Sequence, residues 1–112
     1  GIIKEMLEKE VAEELQPLKA RVVEMVKLYE QALDYVKQAQ DQEVQDFLAR
    51  RLYNMTGDIV MSLLILEDAT RSAELFSKSA NVYVRMAQAE VTAEHVYIMN
   101  FVKEDLPSFR AE

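Results

Sequence analysis

The side chains able to do chemistry in this chain are few and scattered. There is one histidine, His95, and no cysteine. Without cysteine there is no thiol nucleophile, no disulfide and no thiolate zinc site, and a reducing, cytoplasmic setting is expected. The many carboxylates invite comparison with di-iron bundles, which need two Glu-x-x-His pairs facing inward with further glutamates. The residue three before His95 is Thr92, so that pattern fails, and His95 reads as structural or solvent-facing. Two glycines are too few for a phosphate loop, a dinucleotide fingerprint or a nucleophile elbow. Asn54-Met55-Thr56 matches a glycosylation acceptor but falls in the middle of a helical pattern, and no modification is expected there. No catalytic, cofactor-binding or metal-ligating residue is therefore assigned.

Two aspartates stand out because their neighbours are apolar. Asp58 and Asp68 flank the most hydrophobic stretch of the chain, and a buried carboxylate needs a partner. Asp68 lies shortly before a predicted turn and Lys78 within two helical turns after it, and Asp58 falls near the level of Arg85. The expectation is two hairpin-fixing pairs, Asp68 with Lys78 and Asp58 with Arg85; the alternative is a ligand-binding role. Glu8, Glu10, Glu13 and Glu14 read as a solvated helix face, with electrostatic docking as the alternative. The six methionines fill a core or form an adaptable binding surface.

These residues must be positioned by helices. Glycine and proline number two each, far below ordinary usage, and helices are the elements that avoid them. The expected fold is all-α: an antiparallel bundle of three long helices plus a short N-terminal helix, residues 1–112 forming a single domain. Val11, Leu15, Leu18, Val22, Met25, Tyr29, Ala32 and Val36 alternate steps of four and three, an amphipathic helical spacing. Pro17 interrupts this run. A proline either starts a helix or kinks one, and a break is favoured, giving a short helix over 3–14 and a long one over 17–39. Asp41 is placed to cap the next helix, over 43–70. Its seam is Leu48, Leu52, Met55, Ile59, Ser62, Leu66 and Ala69. Gly57 in its middle costs about 1 kcal/mol relative to alanine, which suggests close approach of another backbone. Ser72 caps a third long helix over 73–102, with seam Leu75, Ser79, Val82, Met86, Ala89, Ala93 and Val96. Pro107 ends helical structure and 108–112 is a tail.

The apolar pattern exceeds what three helices bury. Val60, Met61, Leu64 and Ile65 lie off the second seam, and Val84, Val91 and Ile98 form a second stripe opposite the third. A helix that is apolar all round is normally covered all round. These seven residues are the expected interface, and a homo-oligomer is the expected state.

Charge narrows the partners. The net charge is −7 and each third of the chain is acidic. Nucleic acid is excluded as a partner, since phosphate binding needs a basic face. An anionic membrane surface is disfavoured as well. The longest apolar run, 59–66, is far short of the roughly 20 residues a membrane helix needs. The chain opens on Gly1 and enters a helical pattern at once, which points to a domain excised from something longer.

The stretch from Gly57-Asp58-Ile59-Val60-Met61-Ser62 through Glu67-Asp68-Ala69, then Phe76-Ser77-Lys78-Ser79-Ala80-Asn81-Val82-Tyr83-Val84 and Ala87-Gln88-Ala89-Glu90-Val91, resembles the C-terminal accessory helical domain of bacterial acyl-CoA dehydrogenases. The resemblance covers about the last two-thirds of the chain. It implies a parent flavoprotein that oxidises acyl-CoA thioesters at the α,β carbons. The FAD, the active-site carboxylate and the substrate cleft would belong to preceding domains, so no catalytic residue carries over. The implied partners are the parent's other domains and a dimer mate. A free-standing helical adaptor for another protein is the alternative function, and a binder of acyl chains between helices is a third.

Overall fold

The computed structural model of the chain describes residues 1–106. Pro107 as a helix stop and the tail over 108–112 lie outside the described residues. The elements are α1 (Ile2–Leu7), a 3-10 turn (Glu13–Leu15), α2 (Gln16–Gln38), α3 (Gln42–Arg71) and α4 (Ala73–Met99). The three long helices pack on one another through short connections, as an antiparallel bundle 52 Å long. There is no strand among the described residues.

Local chemistry explains the boundaries. Pro17 sits in the first turn of α2, where its missing amide donor is not needed. The Asp41 carboxylate accepts from the amides of Glu43 and Val44 at 3.0 and 3.2 Å and so caps α3. Gln40, just before it, takes a positive φ of 50°, which lets the chain reverse within two residues. The α3–α4 reversal needs only Ser72, in a non-helical conformation with φ −148° and ψ 81°. Its backbone carbonyl accepts from Phe76, but its side chain makes no cap, contrary to the expectation.

The short first helix is half the predicted length. α1 ends at Leu7, and residues 9–12 are held by side chains instead of a helical ladder. Lys19 donates to the Lys9 carbonyl at 3.0 Å, Gln16 donates to the Val11 carbonyl, and the Ala12 amide donates to Thr70 Oγ1. Several backbone groups that a helix would have satisfied have other partners instead. The result is an extended strap across the open end of α2 and α3.

The core follows the predicted seams of α2 and α3. Leu18, Val22, Met25, Ala32 and Val36 from α2 meet Leu48, Met55, Ile59, Ser62, Leu66 and Ala69 from α3, all buried. Each fully buried Leu, Ile or Met contributes roughly 1.5–3 kcal/mol before entropy is counted. Ser62 is an exception: its hydroxyl is buried without a hydrogen-bond partner, an unfavourable term. At the far end Phe101 stacks on Phe47 at 5.2 Å, and the Tyr35 hydroxyl donates to the Phe101 carbonyl at 2.8 Å. Lys103 pairs with Asp41 at 2.7 Å, and this ammonium, followed by the cap amides, lowers the Asp41 pKa.

α4 is turned the other way from the sequence expectation. Ala80, Val84, Ala87, Val91 and Ile98 face the core and are fully buried. The predicted seam from Leu75 to Val96 faces water instead. Edge chemistry is the physical reason: the inner residues named are all apolar, whereas the predicted seam includes Ser79 and is edged by Lys78, Arg85 and Glu90, whose charges stay in water when that side faces outward. Val84, Val91 and Ile98 are therefore core, not interface.

Candidate functional site

The outer face of the α3–α4 hairpin carries what the bundle leaves unused. α3 contributes Tyr53, Gly57, Asp58, Met61 and Leu64, and α4 contributes Val82, Tyr83, Met86, Glu90 and Glu94. A shallow groove of about 630 Å³ runs between the helices, lined among others by Tyr53, Asp58, Met61, Tyr83, Glu90 and Glu94. It continues toward the hairpin turn as an apolar groove of about 430 Å³ lined by Ile65, Lys78, Val82, Tyr83 and Met86. One half of the face is acidic and the other half is apolar.

The acidic half has a definite electrostatic structure. Asp58 is half-buried, and desolvation, then a hydrogen bond and charge from Glu90, then the charge of Glu94, raise its pKa from 3.8 to about 6. Burial first, and the Asp58 and Glu90 carboxylates second, also raise the Tyr83 hydroxyl. Glu94 has cationic company: Arg51 donates to it at 2.6 Å and Asn54 at 3.0 Å. The Arg51 guanidinium also lies 3.6 Å over the Tyr97 ring, a cation–π contact that fixes its direction. This clamp ties the middle of α3 to the end of α4. Asp58 and Glu90 are therefore placed to share a proton. Among the described residues, no group of three or more potential ligands is arranged to hold a metal ion.

The predicted pairs are replaced by others. Asp68 pairs with Arg71, three residues along its own helix, at 2.9 Å, and Lys78 is exposed beyond the turn at the edge of the apolar groove. A neighbour one helical turn away is met at lower entropic cost than a flexible lysine on the next helix. Asp58 sits against Glu90, while Arg85 is exposed on the opposite flank of α4. α4 is rotated relative to the expectation, and that rotation moves Glu90 to Asp58 and carries Arg85 away.

Of the predicted interface, Met61 and Leu64 are exposed at 51% and 41%, and Val60 and Ile65 are half-buried. The expectation that Gly57 marks a close backbone contact is overturned: nothing lies within 4 Å of where its Cβ would be. His95 meets Gln31 Oε1 at 2.9 Å, a contact between α4 and α2. Sequence reasoning missed the Arg51–Glu94–Asn54 clamp. The signal available was the helical spacing of Arg51 and Asn54, which puts both on one face of α3. No described helix is long and apolar enough to cross a membrane.

Comparison with known proteins gives two matches. Residues 1–106 match the family model described as acyl-CoA dehydrogenase C terminal. The chain is also similar to the crystal structure of the acyl-CoA dehydrogenase family protein from Porphyromonas gingivalis, with a TM-score of 0.83 and 37% identity over 90% of this chain and 86% of that one. Comparison with curated protein sequences found no match.

Proposed function

Since the chain belongs to the acyl-CoA dehydrogenase C-terminal family, we propose that it is the accessory end domain of an FAD-dependent acyl-CoA dehydrogenase. In this reading it packs against the parent enzyme or its dimer mate and holds no catalytic site of its own. The observation that carries the reading is the family match across all 106 described residues. The geometry supports it: the core is closed, and most of the exposed large apolar side chains lie on the α3–α4 hairpin instead of lining a deep pocket. Substrate oxidation and the flavin would reside in the parent's other domains. The domain would contribute assembly.

A direct test is to titrate the chain with FAD, following flavin fluorescence, and to assay it with acyl-CoA and an artificial electron acceptor. Neither binding nor turnover is expected. Stoichiometric micromolar flavin binding would overturn the reading. The open hairpin face favours one second reading, a free-standing adaptor for another protein's amphipathic helix. Mixing the chain with the parent's flavin-binding domains separates the two, because only an accessory domain associates with them.

A further inference from the structure

The outward side of α4 has the spacing of a helix made to pair. Leu75, Ser79, Val82, Met86, Ala89, Ala93 and Val96, apolar but for Ser79, alternate steps of four and three, the 3.5-residue repeat of a two-helix seam. They are all exposed: Leu75 is 73%, Val82 64%, Met86 49% and Val96 54% accessible. Met61 and Leu64 of α3 widen the strip. With a rise of 1.5 Å per residue, the face is about 30 Å long and two helices wide, on the order of 600 Å². That approaches the roughly 800 Å² per partner of a standard stable interface.

Charge decides what fits there. On one flank of the seam stand Lys78 and Arg85. On the other stand Tyr83 and Glu90, with Asp58 beside them across the groove. Neither Lys78 nor Arg85 forms an ion pair among the described residues. A basic helix from another protein would satisfy the acidic flank but meet Lys78 and Arg85 with like charge. An acidic helix would do the reverse. A surface with the same two flanks, turned by a two-fold axis running along α4, sets basic against acidic on both sides. A two-fold axis across α4 instead sets like against like. With the helices parallel, Arg85 faces the residue five positions further along the other copy, which is Glu90, as flanking charges do across a coiled-coil seam.

We infer that this face binds a second copy of the chain, the two α4 helices parallel about an axis along them, with Arg85 of each copy against the Asp58 and Glu90 carboxylates of the other. The inference rests on the accessory-domain reading, in which this face meets a dimer mate, and it names the mate's surface. The net charge of −7 on each copy opposes association at long range, so the local complementarity and the apolar seam supply the attraction.

The absence of cysteine makes single-cysteine variants clean reporters. Val82→Cys and Val96→Cys should each form a disulfide-linked dimer on mild oxidation, while Glu24→Cys on exposed α2 should not. In a parallel pair every seam residue meets itself, whereas an antiparallel pair allows this at one level only. Sedimentation across concentrations should show a dimer of the unmodified chain. Arg85→Glu and Glu90→Arg should each weaken it by about tenfold or more, and the double reversal should restore it to within a few-fold. All the substituted positions are exposed, so helicity by circular dichroism should be unchanged. A chain monomeric at every concentration overturns the inference, as does cross-linking at only one of the two valines or failure of the double reversal to rescue. A monomer that still associates with the parent's flavin domains defeats this inference alone; a dimer indifferent to those domains defeats the accessory-domain reading alone.

Discussion

Two apolar stripes run down α4, and only one of them meets the bundle. Val84, Ala87, Val91 and Ile98 are fully buried, while Leu75, Val82, Met86 and Val96 are half to three-quarters exposed. The stripes have the same period and similar hydrophobicity, so neither property determines which one becomes core. Flanking charge does. The outer stripe is edged by Lys78, Arg85 and Glu90, residues suited to a water-accessible rim. The inner stripe contributes its burial free energy to folding, and the outer one has that contribution still to make.

The strongest way to break this comparison is to truncate one residue from each stripe. Ile98→Ala removes a fully buried side chain and should cost about 2–5 kcal/mol through lost transfer energy and the cavity left behind. Leu75→Ala removes a larger exposed area and should change stability by about 0.5 kcal/mol or less. Urea melts at a protein concentration too low for self-association measure both. Similar costs for the two would mean that the stripes are not distinct as described.

How far these differences were legible in the sequence varies by element. α2 and α3 each have one dominant stripe, and their core positions follow from spacing alone. Pro17 and Asp41 mark helix starts through backbone chemistry that needs no tertiary context. α4 has two stripes, and counting apolar residues favours the outer one, which is the wrong one. The charges of Lys78, Arg85 and Glu90 along its edges were the corrective signal. Asp58 was singled out because its sequence neighbours are apolar, but the partner assigned to it depended on the rotation of α4 and changed when that rotation did. Gln40 gave no sign of its positive φ, because glutamine is not a residue type that marks left-handed turns. The loss of helix after Leu7 depends on Lys19, Gln16 and Thr70, contacts that no local pattern encodes.

Two aspartates, one inside α3 and one at its start, sharpen the comparison through pH. Asp58 holds its proton up to about pH 6, so the folded chain binds that proton more tightly than the unfolded one. Its stabilising contribution is complete below the ordinary carboxylate value of 3.8 and is lost as pH rises through about 6. Asp41 has the opposite sign: its pKa is lowered by Lys103, so its contribution is present above 3.8 and lost only in stronger acid. Between about pH 4 and 6.5, Asp58 should therefore dominate the slope. The groove is open to water, and screening limits the effect to about 1 kcal/mol. Asp58→Asn should be more stable than the unmodified chain by that amount at pH 7.5, with the difference shrinking toward pH 4. Thermal melts at the two pH values test this. A difference that grows on acidification would mean that Asp58 is ionised and favourably paired in the folded chain.

The smallest effect falls on Gly57, at the centre of the hairpin face. A glycine inside a helix exposes backbone and carries extra freedom in the unfolded chain, so alanine at the same position is normally more stable by about 0.5–1 kcal/mol. That gain is forfeited only where a neighbour already occupies the space of the new methyl group. Here nothing lies within 4 Å of it, and the residue faces the groove beside Asp58 and Met61. Gly57→Ala should therefore raise stability by the full propensity difference when the chain is dilute. The same measurement probes the inner and outer surfaces of α3: Ser62, five residues on, is buried with its hydroxyl unpaired, whereas Gly57 looks outward. Denaturant melts of Gly57→Ala in dilute solution decide the matter. A loss of stability there would show that another backbone does approach Gly57 within one molecule, as its position in the middle of a long helix first suggests.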